Sequence, residues 1–409
     1  MNRVNELIKE YCPDGVEIRC LEDCCNLLDK KRKPITKAAR EAGEYPYYGA
    51  NGIQDYVANY IFDGTFVLVG EDGSVITKSG TPVVTWAEGK IWVNNHAHII
   101  EEKEGVMLRY LYHYLQTIDV TSLIHGNIPK LTGGDFKALK IAVPPLEVQR
   151  EIVHILDSFT LLTAELTAEL TARKKQYNFY RDKLLTFESD IPLLPIKEVV
   201  KKSCAGATPA KGNPEYYEDG TIPWIRTQDV RFNEITEVDS FITEKAVEET
   251  AAKWIPENCV IVAISGATAG RCAINKIKAT TNQHCLNMKI DNEKALYKYV
   301  YYCICSKQDE LISKKQGARG DLNSSLILGT KIPVPKLEIQ KKIVHVLDNF
   351  ESICSDLNIG LPAEIEARQK QYEYYRDLLL TFAETGSTLM TDRQTDRQTD
   401  RQTDRAERN

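Results

Sequence analysis

The sequence predicts an α+β fold: two mixed α/β domains separated by two long helices packed as an antiparallel coiled coil, with a pseudo-two-fold duplication. Three observations predict it. One segment of the chain occurs twice, apolar residues follow each copy at heptad spacing, and short strand-like runs precede each copy. A repeat period near 191 residues is too long for a solenoid, so the repeat indicates a duplicated domain followed by a helix.

The repeat is strong in two blocks. Residues 141–159 match residues 332–350 at 12 of 19 positions, with an offset of 191. Residues 173–187 match residues 368–382 at 11 of 15 positions, with an offset of 195. The second copy therefore carries four more residues between the blocks, which is the length of one Thr-Ala-Glu-Leu (TAEL) unit.

Composition is that of an ordinary globular protein. The chain has 409 residues with 43% hydrophobic and 27% charged residues, enough for two to three domains with buried cores. It contains no apolar run long enough for a membrane span, and its charged N-terminal segment does not resemble a secretory signal. A net charge of −6 argues against a wholly basic nucleic-acid coat but allows local basic patches.

The cysteines indicate a reducing compartment. There are 11 of them, an odd number without a disulfide framework, which predicts a cytoplasmic protein. No paired Cys-x-x-Cys with histidines at zinc spacing occurs, so we expect no metal site.

The first domain is predicted over residues 1–143. Residues 105–118 have the pattern of a helix, and strand-like runs of β-branched and aromatic residues occupy 66–70, 82–100 and 140–143.

The first long helix is predicted over residues 144–188, and Pro144 and Pro145 suit its start. Its apolar seam steps by four and three through five unbroken heptads, and two TAEL units occupy residues 163–170. The seam consists of Ile152, Leu156, Phe159, Thr163, Leu166, Leu170, Arg173, Tyr177, Tyr180, Leu184 and Phe187.

The second domain is predicted over residues 189–334, with a helix at 293–312 in the same relative position as the helix of the first domain. Strand-like runs occupy 222–230, 259–265, 271–277 and 285–290. The two domains differ in sequence, but this shared order of elements predicts a shared fold.

The second long helix is predicted over residues 335–385. Its seam jumps by four residues, which is a stutter, and Gly360 to Pro362 lie at the jump, so we expect a break or kink there. The seam consists of Ile343, Leu347, Phe350, Cys354, Leu357, Leu361, Arg368, Tyr372, Tyr375, Leu379 and Phe382. Residues 386–409, with repeated Thr-Asp-Arg-Gln units, lack an apolar face and predict a disordered tail.

Polar, donor-rich loops in both domains are candidate nucleic-acid contacts. Asn and Gln can bind adenine through two hydrogen bonds, Arg can bind guanine, and Lys can hold phosphates. A polar glycine-rich loop is often only a turn, but such loops recur in both domains. The candidate DNA-binding residues are Lys31, Arg32, Lys33, Tyr47, Tyr48, Asn51, Lys78, Asn94, Asn95, His96, Lys130, Thr208, Lys211, Arg226, Thr227, Gln228, Ser265, Thr268, Arg271, Asn282, Gln283 and Arg319.

Catalytic signatures are missing from the sequence, so no catalytic residue is assigned. No G-x-x-x-x-G-K-[ST] phosphate loop is present. "NPEY" at 213–216 has Glu where adenine methyltransferases have a second Pro, and no glycine-rich strand-loop precedes it, so we interpret it as a turn. His154 and His345 occupy matching helix positions, which indicates packing or partner contact rather than catalysis.

The chain resembles the specificity (S) subunits of Type I restriction–modification enzymes over residues 1 to about 385. The duplicated "PPLEVQREIVHILD" and "PKLEIQKKIVHVLD" segments and the paired "QYNFYRD" and "QYEYYRD" segments carry the resemblance, together with "GATPAKGNPEYYEDGTIPWIRTQDV", "YPYYGANG" and "VNNHAHII". The TAEL repeat resembles the IC subgroup.

This resemblance implies that each domain is a target-recognition domain for one half of a split, asymmetric double-stranded DNA sequence. It also implies that the helices dock two methyltransferase (M) subunits, which methylate adenine, and that restriction (R) subunits join them. S-adenosylmethionine, ATP and Mg are then expected in the partner subunits, with no cofactor in this chain and no membrane partner. The candidate docking residues are Gln149, His154, Tyr177, Tyr180, Arg181, Gln340, His345, Tyr372, Tyr375 and Arg376.

Two alternatives remain open from the sequence: a coiled-coil scaffold without DNA readout, and a part of a fused DNA methyltransferase. Sequence-specific, salt-dependent DNA binding would separate the leading interpretation from the first. Methyl transfer by the isolated chain would support the second. On the leading interpretation, adding or deleting one TAEL unit should change the spacer between half-sites and leave the half-sites themselves unchanged.

Overall fold

The computed structural model describes residues 2–188, 191–315, 321–355 and 360–385. Over the described residues the chain divides into two compact units: unit 1 is formed by residues 2–166 and 364–385, and unit 2 by the described part of residues 167–363. The division on the first long helix falls between Leu166 and Thr167, which is between its two TAEL units. Arg319, Leu357 and the predicted disordered tail lie outside the described residues.

Unit 1 contains the first domain. Apolar residues of its strands and helices, such as Val67, Ile100 and Leu111, are buried in one core with the first turns of the following long helix. Its elements are α1 (Asn2–Tyr11), β1 (Glu17–Cys20), α2 (Leu21–Cys24), β2 (Asn26–Leu27), β3 (Ala42–Gly49), β4 (Gly52–Val57), β5 (Phe62–Gly70), β6 (Val84–Val93), β7 (Ala97–Glu101), α3 (Leu108–Leu115), β8 (Ile124–His125), β9 (Lys130–Leu131), α4 (Gly133–Lys137) and β10 (Lys140–Val143).

The main sheet of unit 1 has the strand order β2-β7-β5-β6-β3-β4, and β1 pairs separately with β10. Most neighbours are antiparallel, but β3 runs parallel to β6, with Tyr47 opposite Trp92 and Tyr48 opposite Val93. The carboxyl ends of these two parallel strands therefore lie side by side. This arrangement brings the loops that follow them to one edge of the sheet.

The first long helix, α5 (Leu146–Leu184), follows β10 and is continuous from unit 1 into unit 2. The later elements are β11 (Leu193–Pro195), β12 (Val200–Ala205), β13 (Ile222–Ile225), β14 (Glu234–Ile235), β15 (Phe241–Ile242), α6 (Glu244–Glu249), β16 (Val260–Ala263), β17 (Cys272–Asn275), β18 (Thr280–Thr281), β19 (Cys285–Ile290), α7 (Tyr297–Ser306), α8 (Gln308–Ser313), α9 (Ser324–Gly329), β20 (Lys331–Pro333), α10 (Leu337–Ser355) and α11 (Leu361–Thr385).

Unit 2 repeats the plan of unit 1. Its larger sheet has the order β12-β19-β16-β17-β14, a smaller sheet has the order β15-β13-β18, and β11 pairs with β20 as β1 pairs with β10. Strand β13 runs parallel to β18, with Trp224 opposite Thr280 and Ile225 opposite Thr281. A parallel strand pair next to an antiparallel one thus occurs in both units.

The long helices pack on each other within each unit. In unit 2, Tyr180 of α5 stacks on Phe350 of α10 with ring centroids 5.7 Å apart. One turn earlier on α5, Tyr177 lies near Glu351, and one further turn earlier, Lys174 lies near Cys354. The two helices therefore run antiparallel there. In unit 1, Phe159 of α5 stacks on Tyr375 of α11 with centroids 5.2 Å apart, which is the counterpart pair in the sequence repeat.

A buried glutamine fixes the start of each long helix. Gln149 donates to the carbonyls of Pro144 (2.7 Å) and Gly105 (3.1 Å) and accepts a hydrogen bond from the Met107 amide (2.9 Å). Gln340 makes the same set of bonds to Pro335, Lys294 and Leu296 in unit 2.

Each unit has a polar cluster next to its pair of long helices, and the residues of this cluster differ between the units. In unit 1, His113 Nε2 lies 2.9 Å from Asp157 Oδ1, and its Nδ1 lies 2.9 Å from the Tyr372 hydroxyl. In unit 2, Tyr302 replaces the histidine, and its hydroxyl oxygen lies 2.6 Å from Asp348 Oδ1 and 2.7 Å from Glu351 Oε2. The same backbone therefore holds a titratable ring in one unit and a phenol in the other.

The predicted strands and helices of both domains are confirmed, with four corrections. The helix predicted at 105–118 is shorter and covers only Leu108–Leu115. Residues 82–100 form two strands, β6 and β7, separated by a turn. Strand β13 ends at Ile225, so residues 226–230 form a turn instead of a strand. The helix predicted at 293–312 begins at Tyr297 and is divided at Lys307.

None of the helices within the described ranges combines the length and the apolar character that a bilayer span requires. All 11 cysteines lie in those ranges and carry free thiols.

Candidate nucleic-acid interface

Three turns meet at one edge of the unit 1 sheet. They follow β3, β5 and β6, and consist of residues 49–52, 70–73 and 94–96; we call them turn cluster 1. A Cβ at Gly70 would lie 3.0 Å from the carbonyl oxygen of Ala50, so glycine allows the first two turns this close approach. The cluster therefore collects loop side chains from three separate strand ends.

Three hydrogen bonds fix the third turn, two between backbone groups and one from a backbone amide to a side chain. The amide of Asn94 donates to the Tyr48 carbonyl (3.1 Å), and the amide of Glu71 donates to the His96 carbonyl (2.8 Å). The side-chain Oδ1 of Asn94 accepts from the His96 amide (2.8 Å). Asn94 is buried while Asn95 is exposed, so this turn presents the side chain of its middle residue to solvent.

Unit 2 builds the same frame with different residues. Turn cluster 2 consists of residues 226–229, 264–267 and 282–284. The amide of Asn282 donates to the Ile225 carbonyl (3.0 Å), and the amide of Ile264 donates to the His284 carbonyl (2.9 Å). Asn282 Oδ1 accepts from the His284 amide (3.1 Å), and Gln283 is exposed between them.

Sequence reasoning missed this equivalence and left His284 out of the candidates. The signal was the Asn-x-His spacing, which occurs as "NNH" at 94–96 and "NQH" at 282–284. Two short matches in otherwise different domains carry little weight until the hydrogen-bond frame is known. Asp72 and Asp321 were also missed: the first pairs with His96, and the second accepts from the Ser265 hydroxyl at 2.7 Å.

Several predicted site residues support the turns from inside instead of reaching solvent. Tyr47, Tyr48, Asn94 and Asn282 are buried. The Tyr47 hydroxyl accepts from the Ile35 amide at 3.1 Å and so holds the basic loop against β3. These four side chains shape the interface without offering a surface for contact.

In the basic segment 30–40, some charged side chains point into the protein and others are exposed to solvent. Arg32 turns inward: its guanidinium pairs with Glu71 (2.6 Å) and donates to the Ala97 carbonyl (2.6 Å). Lys31 and Lys33 are exposed, and the Trp92 indole donates to the Lys33 carbonyl at 2.6 Å, which holds Lys33 beside the end of β6. The exposed lysines thus flank turn cluster 1.

The remaining candidates lie on or near the two clusters, except Lys78. Lys78 is exposed in the loop between β5 and β6, and Lys130 pairs with Glu71 at 3.3 Å. Thr208 donates its hydroxyl proton to Gln283 Oε1, and Lys211 is exposed in the same loop. Asn51, Gln228 and Asn95 are exposed, whereas Arg226, Thr227, Ser265, Thr268 and Arg271 are half-buried.

Asp29, Glu71 and His98 bring potential metal-ligand atoms within 4.8 Å of one another. The carboxylate oxygens of this cluster already have partners. His98 Nδ1 lies 2.7 Å from Asp29, and both Arg32 and Lys130 form ion pairs with Glu71. Burial raises the pKa of Asp29, but hydrogen bonds from His98 and from the Ile99 amide lower it by more. The pKa of Asp29 is therefore below its ordinary value. This cluster is best described as an ion-pair network that braces the loops.

The predicted docking residues on the helices fall into two groups. Gln149, Gln340 and Tyr372 are buried and bonded within their own units, so their side chains are not offered to a partner. Tyr177, Arg181, Tyr375 and Arg376 are half-buried in the helix pair. His154, His345 and Tyr180 are exposed.

An exposed apolar stripe accompanies His345 on α10. Ile339, Val346 and Ile353 are spaced seven residues apart and expose 39%, 38% and 46% of their surface. On α5, the counterpart of Ile339 is Val148, which is fully buried. Helix α1 belongs to the same core, where Val4 and Ile8 are buried, and Arg3 pairs with Glu151 at 3.5 Å.

The family model described as the Type I restriction modification DNA specificity domain matches residues 13–173 and again residues 189–367. A Haemophilus influenzae protein named as a type I restriction enzyme specificity subunit is 35% identical over 385 residues, which covers 90% of this chain and 96% of that protein. The Escherichia coli EcoR124I/EcoR124II specificity subunit is 38% identical over 290 residues, which covers 68% and 71% of the two chains.

A solved structure has the same fold at low sequence identity. The S subunit of a Type I restriction–modification system from M. genitalium superposes with a TM-score of 0.55 at 15% identity, covering 90% of this chain and 97% of that one. A chain from a structure of type I restriction–modification complex assembly gives a TM-score of 0.53 at 15% identity, covering 91% and 98% of the two chains.

Proposed function

The chain belongs to the Type I restriction–modification DNA specificity family, and from this premise we propose how its two target-recognition domains and helices act. It is a specificity subunit with one recognition domain in each unit. Turn clusters 1 and 2 contact the two half-sites of a bipartite, asymmetric double-stranded DNA target. The observation that carries this assignment is the hydrogen-bond frame that both units share, since each frame presents exposed polar side chains from several strand ends.

Each cluster makes two kinds of DNA contact, with phosphates and with bases. The exposed lysines, Lys31 and Lys33 beside cluster 1 and Lys211 beside cluster 2, neutralise phosphates and set the register of the protein on the duplex. The exposed amides and hydroxyls of the turns read base edges in the groove. Buried Tyr47, Asn94 and Asn282 keep these loops in one conformation, which lowers the entropy lost on binding.

The long helices dock two methyltransferase subunits, with restriction subunits joining the assembly. The apolar stripe Ile339–Val346–Ile353 and the neighbouring His345 are the contact surface of unit 2 for such a partner, because an exposed heptad stripe suits another helix. This chain positions the complex on DNA without catalysing a reaction. S-adenosylmethionine, ATP and Mg²⁺ then bind to the partner subunits, and the complex works in the cytoplasm.

Salt-dependent DNA binding by the purified complex of this chain with its methyltransferase subunits tests the interface. The affinity for a DNA containing the target is measured across a salt series for wild type, Lys33→Ala and Lys211→Ala. Loss of one phosphate contact should reduce the slope of log K against log salt by about 1, without changing base preference.

Lys9→Ala is the matched control, because Lys9 is also an exposed lysine but lies on α1. Its slope should equal that of wild type. Equal slopes for all variants would reject the two turn clusters as the DNA interface. The scaffold alternative would be favoured if the wild-type complex bound all DNA sequences equally.

A further inference from the structure

Asn95 and Gln283 occupy the same position in two recognition domains that otherwise differ in sequence. Each is the exposed middle residue of an Asn-x-His turn, and in each turn three hydrogen bonds hold the flanking residues. Each turn also follows the second strand of the parallel pair, β6 or β18. The two domains have therefore kept a side-chain amide at one defined point of their interfaces.

The surroundings of each amide restrain its position. In unit 2 the Thr208 hydroxyl donates to Gln283 Oε1, and Gln283 Nε2 lies 3.2 Å from His284 Nε2. In unit 1, Arg32 holds the backbone of the turn through the Ala97 carbonyl at 2.6 Å. Asn94 and Asn282 are buried and bond to the backbone amides two residues later, so they anchor the backbone from which Asn95 and Gln283 project.

The chemistry of an amide favours one base. Adenine presents an N7 acceptor and an N6 amino donor in the major groove, and a side-chain amide matches both with its NH₂ group and its oxygen. A phosphate contact suits these residues less well, because they are neutral and because exposed lysines flank each cluster. Guanine offers two acceptors there, which suits arginine.

We propose that Asn95 and Gln283 each read an adenine by its major-groove edge, one in each half-site of the DNA target. This inference rests on the proposed function, because it needs turn clusters 1 and 2 to face DNA. It adds a base identity and a residue for each half-site. Discrimination by each amide should be about 5- to 150-fold against the other bases.

The test uses isosteric substitutions, Asn95→Asp and Gln283→Glu, in the purified complex with its methyltransferase subunits. A randomised double-stranded DNA library is selected by binding, and the bound sequences give the base preference at every position. A carboxylate keeps the acceptors and loses the donor for N7, so it repels adenine and can accept from the N4 amino group of cytosine. Both substitutions keep the side-chain shape, and both sites are exposed, so folding should be preserved.

Asn95→Asp should abolish the preference for adenine at one position of one half-site and raise the preference for cytosine there. Gln283→Glu should do the same at one position of the other half-site only. Each variant thus carries its own control, because the half-site read by the other unit should be unchanged. The complex carrying both substitutions should show both changes together.

Unchanged base preferences in both variants would overturn the proposal, and so would a uniform loss of binding without a change at any single position. Lys33→Ala, run in parallel, separates this failure from failure of the proposed function. A reduced salt slope for Lys33→Ala with unchanged motifs for the amide variants would keep the DNA interface and reject adenine readout. Unchanged slopes for both Lys33→Ala and Lys211→Ala would instead reject the interface itself.

Discussion

Gln149 and Gln340 show how single residues make the two units alike. Each bonds its side-chain amide to two backbone carbonyls and one backbone N–H at the junction between domain and helix. A buried backbone group without a partner costs about 1–3 kcal/mol. Retention of this glutamine in both copies is therefore explained by the junction inside each unit, and a contact with a partner is not needed to explain it.

His113 gives unit 1 a titratable imidazole at a site where unit 2 has the phenol of Tyr302. Burial lowers the pKa of His113 below its ordinary value of 6.5, and this outweighs the hydrogen bond and charge of Asp157, which raise it. The neutral ring fits the site, since Nε2–H can donate to Asp157 while Nδ1 accepts from the Tyr372 hydroxyl.

Because the folded pKa lies below the unfolded one, the stability contributed by His113 is fully present above pH 6.5 and is lost as pH falls through the folded pKa. We predict that the urea midpoint of the wild-type complex falls when the pH is lowered from about 7.5 to about 5.5. His113→Tyr should show a smaller fall, because Tyr302 occupies the equivalent site in unit 2 and does not titrate in that range. An equal fall in both proteins would contradict this prediction.

At the level of elements, α10 exposes a face that its counterpart in unit 1 covers. The chain's own α1 shares a core with Val148 of α5, whereas Ile339, Val346 and Ile353 of α10 are exposed. The charge beside this face is also reversed, since Glu151 in unit 1 corresponds to Lys342 in unit 2. A partner helix on α10 should therefore carry an acidic residue where α1 carries Arg3.

We predict that Val346→Glu weakens association with the methyltransferase subunit by roughly tenfold or more, because a charge would be buried in an apolar contact. Analytical ultracentrifugation or co-purification with the methyltransferase subunit measures the change. Phe241→Glu is the control, since Phe241 has a similar exposed fraction in the same unit but lies on β15. Equal loss in both variants would indicate misfolding, and no loss in Val346→Glu would remove α10 from the docking surface.

The helices could be predicted from sequence because heptad spacing and repeated blocks are local signals. Residues of the α5 seam such as Ile152 and Leu156 are buried, as that spacing requires. The equivalence of the turn clusters could not be predicted, because backbone amides such as those of Glu71 and Ile264 form it and leave almost no trace in side-chain identity. The inward orientation of the Arg32 side chain could not be predicted either, since its partner Glu71 is 39 residues away in the sequence.

At the level of the whole molecule, the TAEL repeat lies where the two units divide. Adding one TAEL unit lengthens α5 by about 6 Å, compared with about 3.4 Å for each base pair of DNA. We predict that insertion or deletion of one unit lengthens or shortens the spacer between half-sites by one or two base pairs. Methylome sequencing of a host carrying the altered gene measures the spacer.

The half-site bases should stay the same in these length variants, because turn clusters 1 and 2 are built within their own units. Inserting four residues at another exposed site, for example next to Lys78, is the control and should leave the spacer unchanged. A change of half-site bases in the TAEL variants, or an unchanged spacer, would contradict this prediction.

The assignment of residues 364–385 to unit 1 also affects the order in which the protein forms during its synthesis. Unit 2 is continuous in sequence, so all of its residues have been translated before those of α11 that complete unit 1. Tyr372, Leu379 and Leu380 belong to the core that also holds Ile152 and Leu156. The domain that leaves the ribosome first is thus the one that is completed last. Truncation of the chain before α11 should therefore destabilise the N-terminal unit more than the later one.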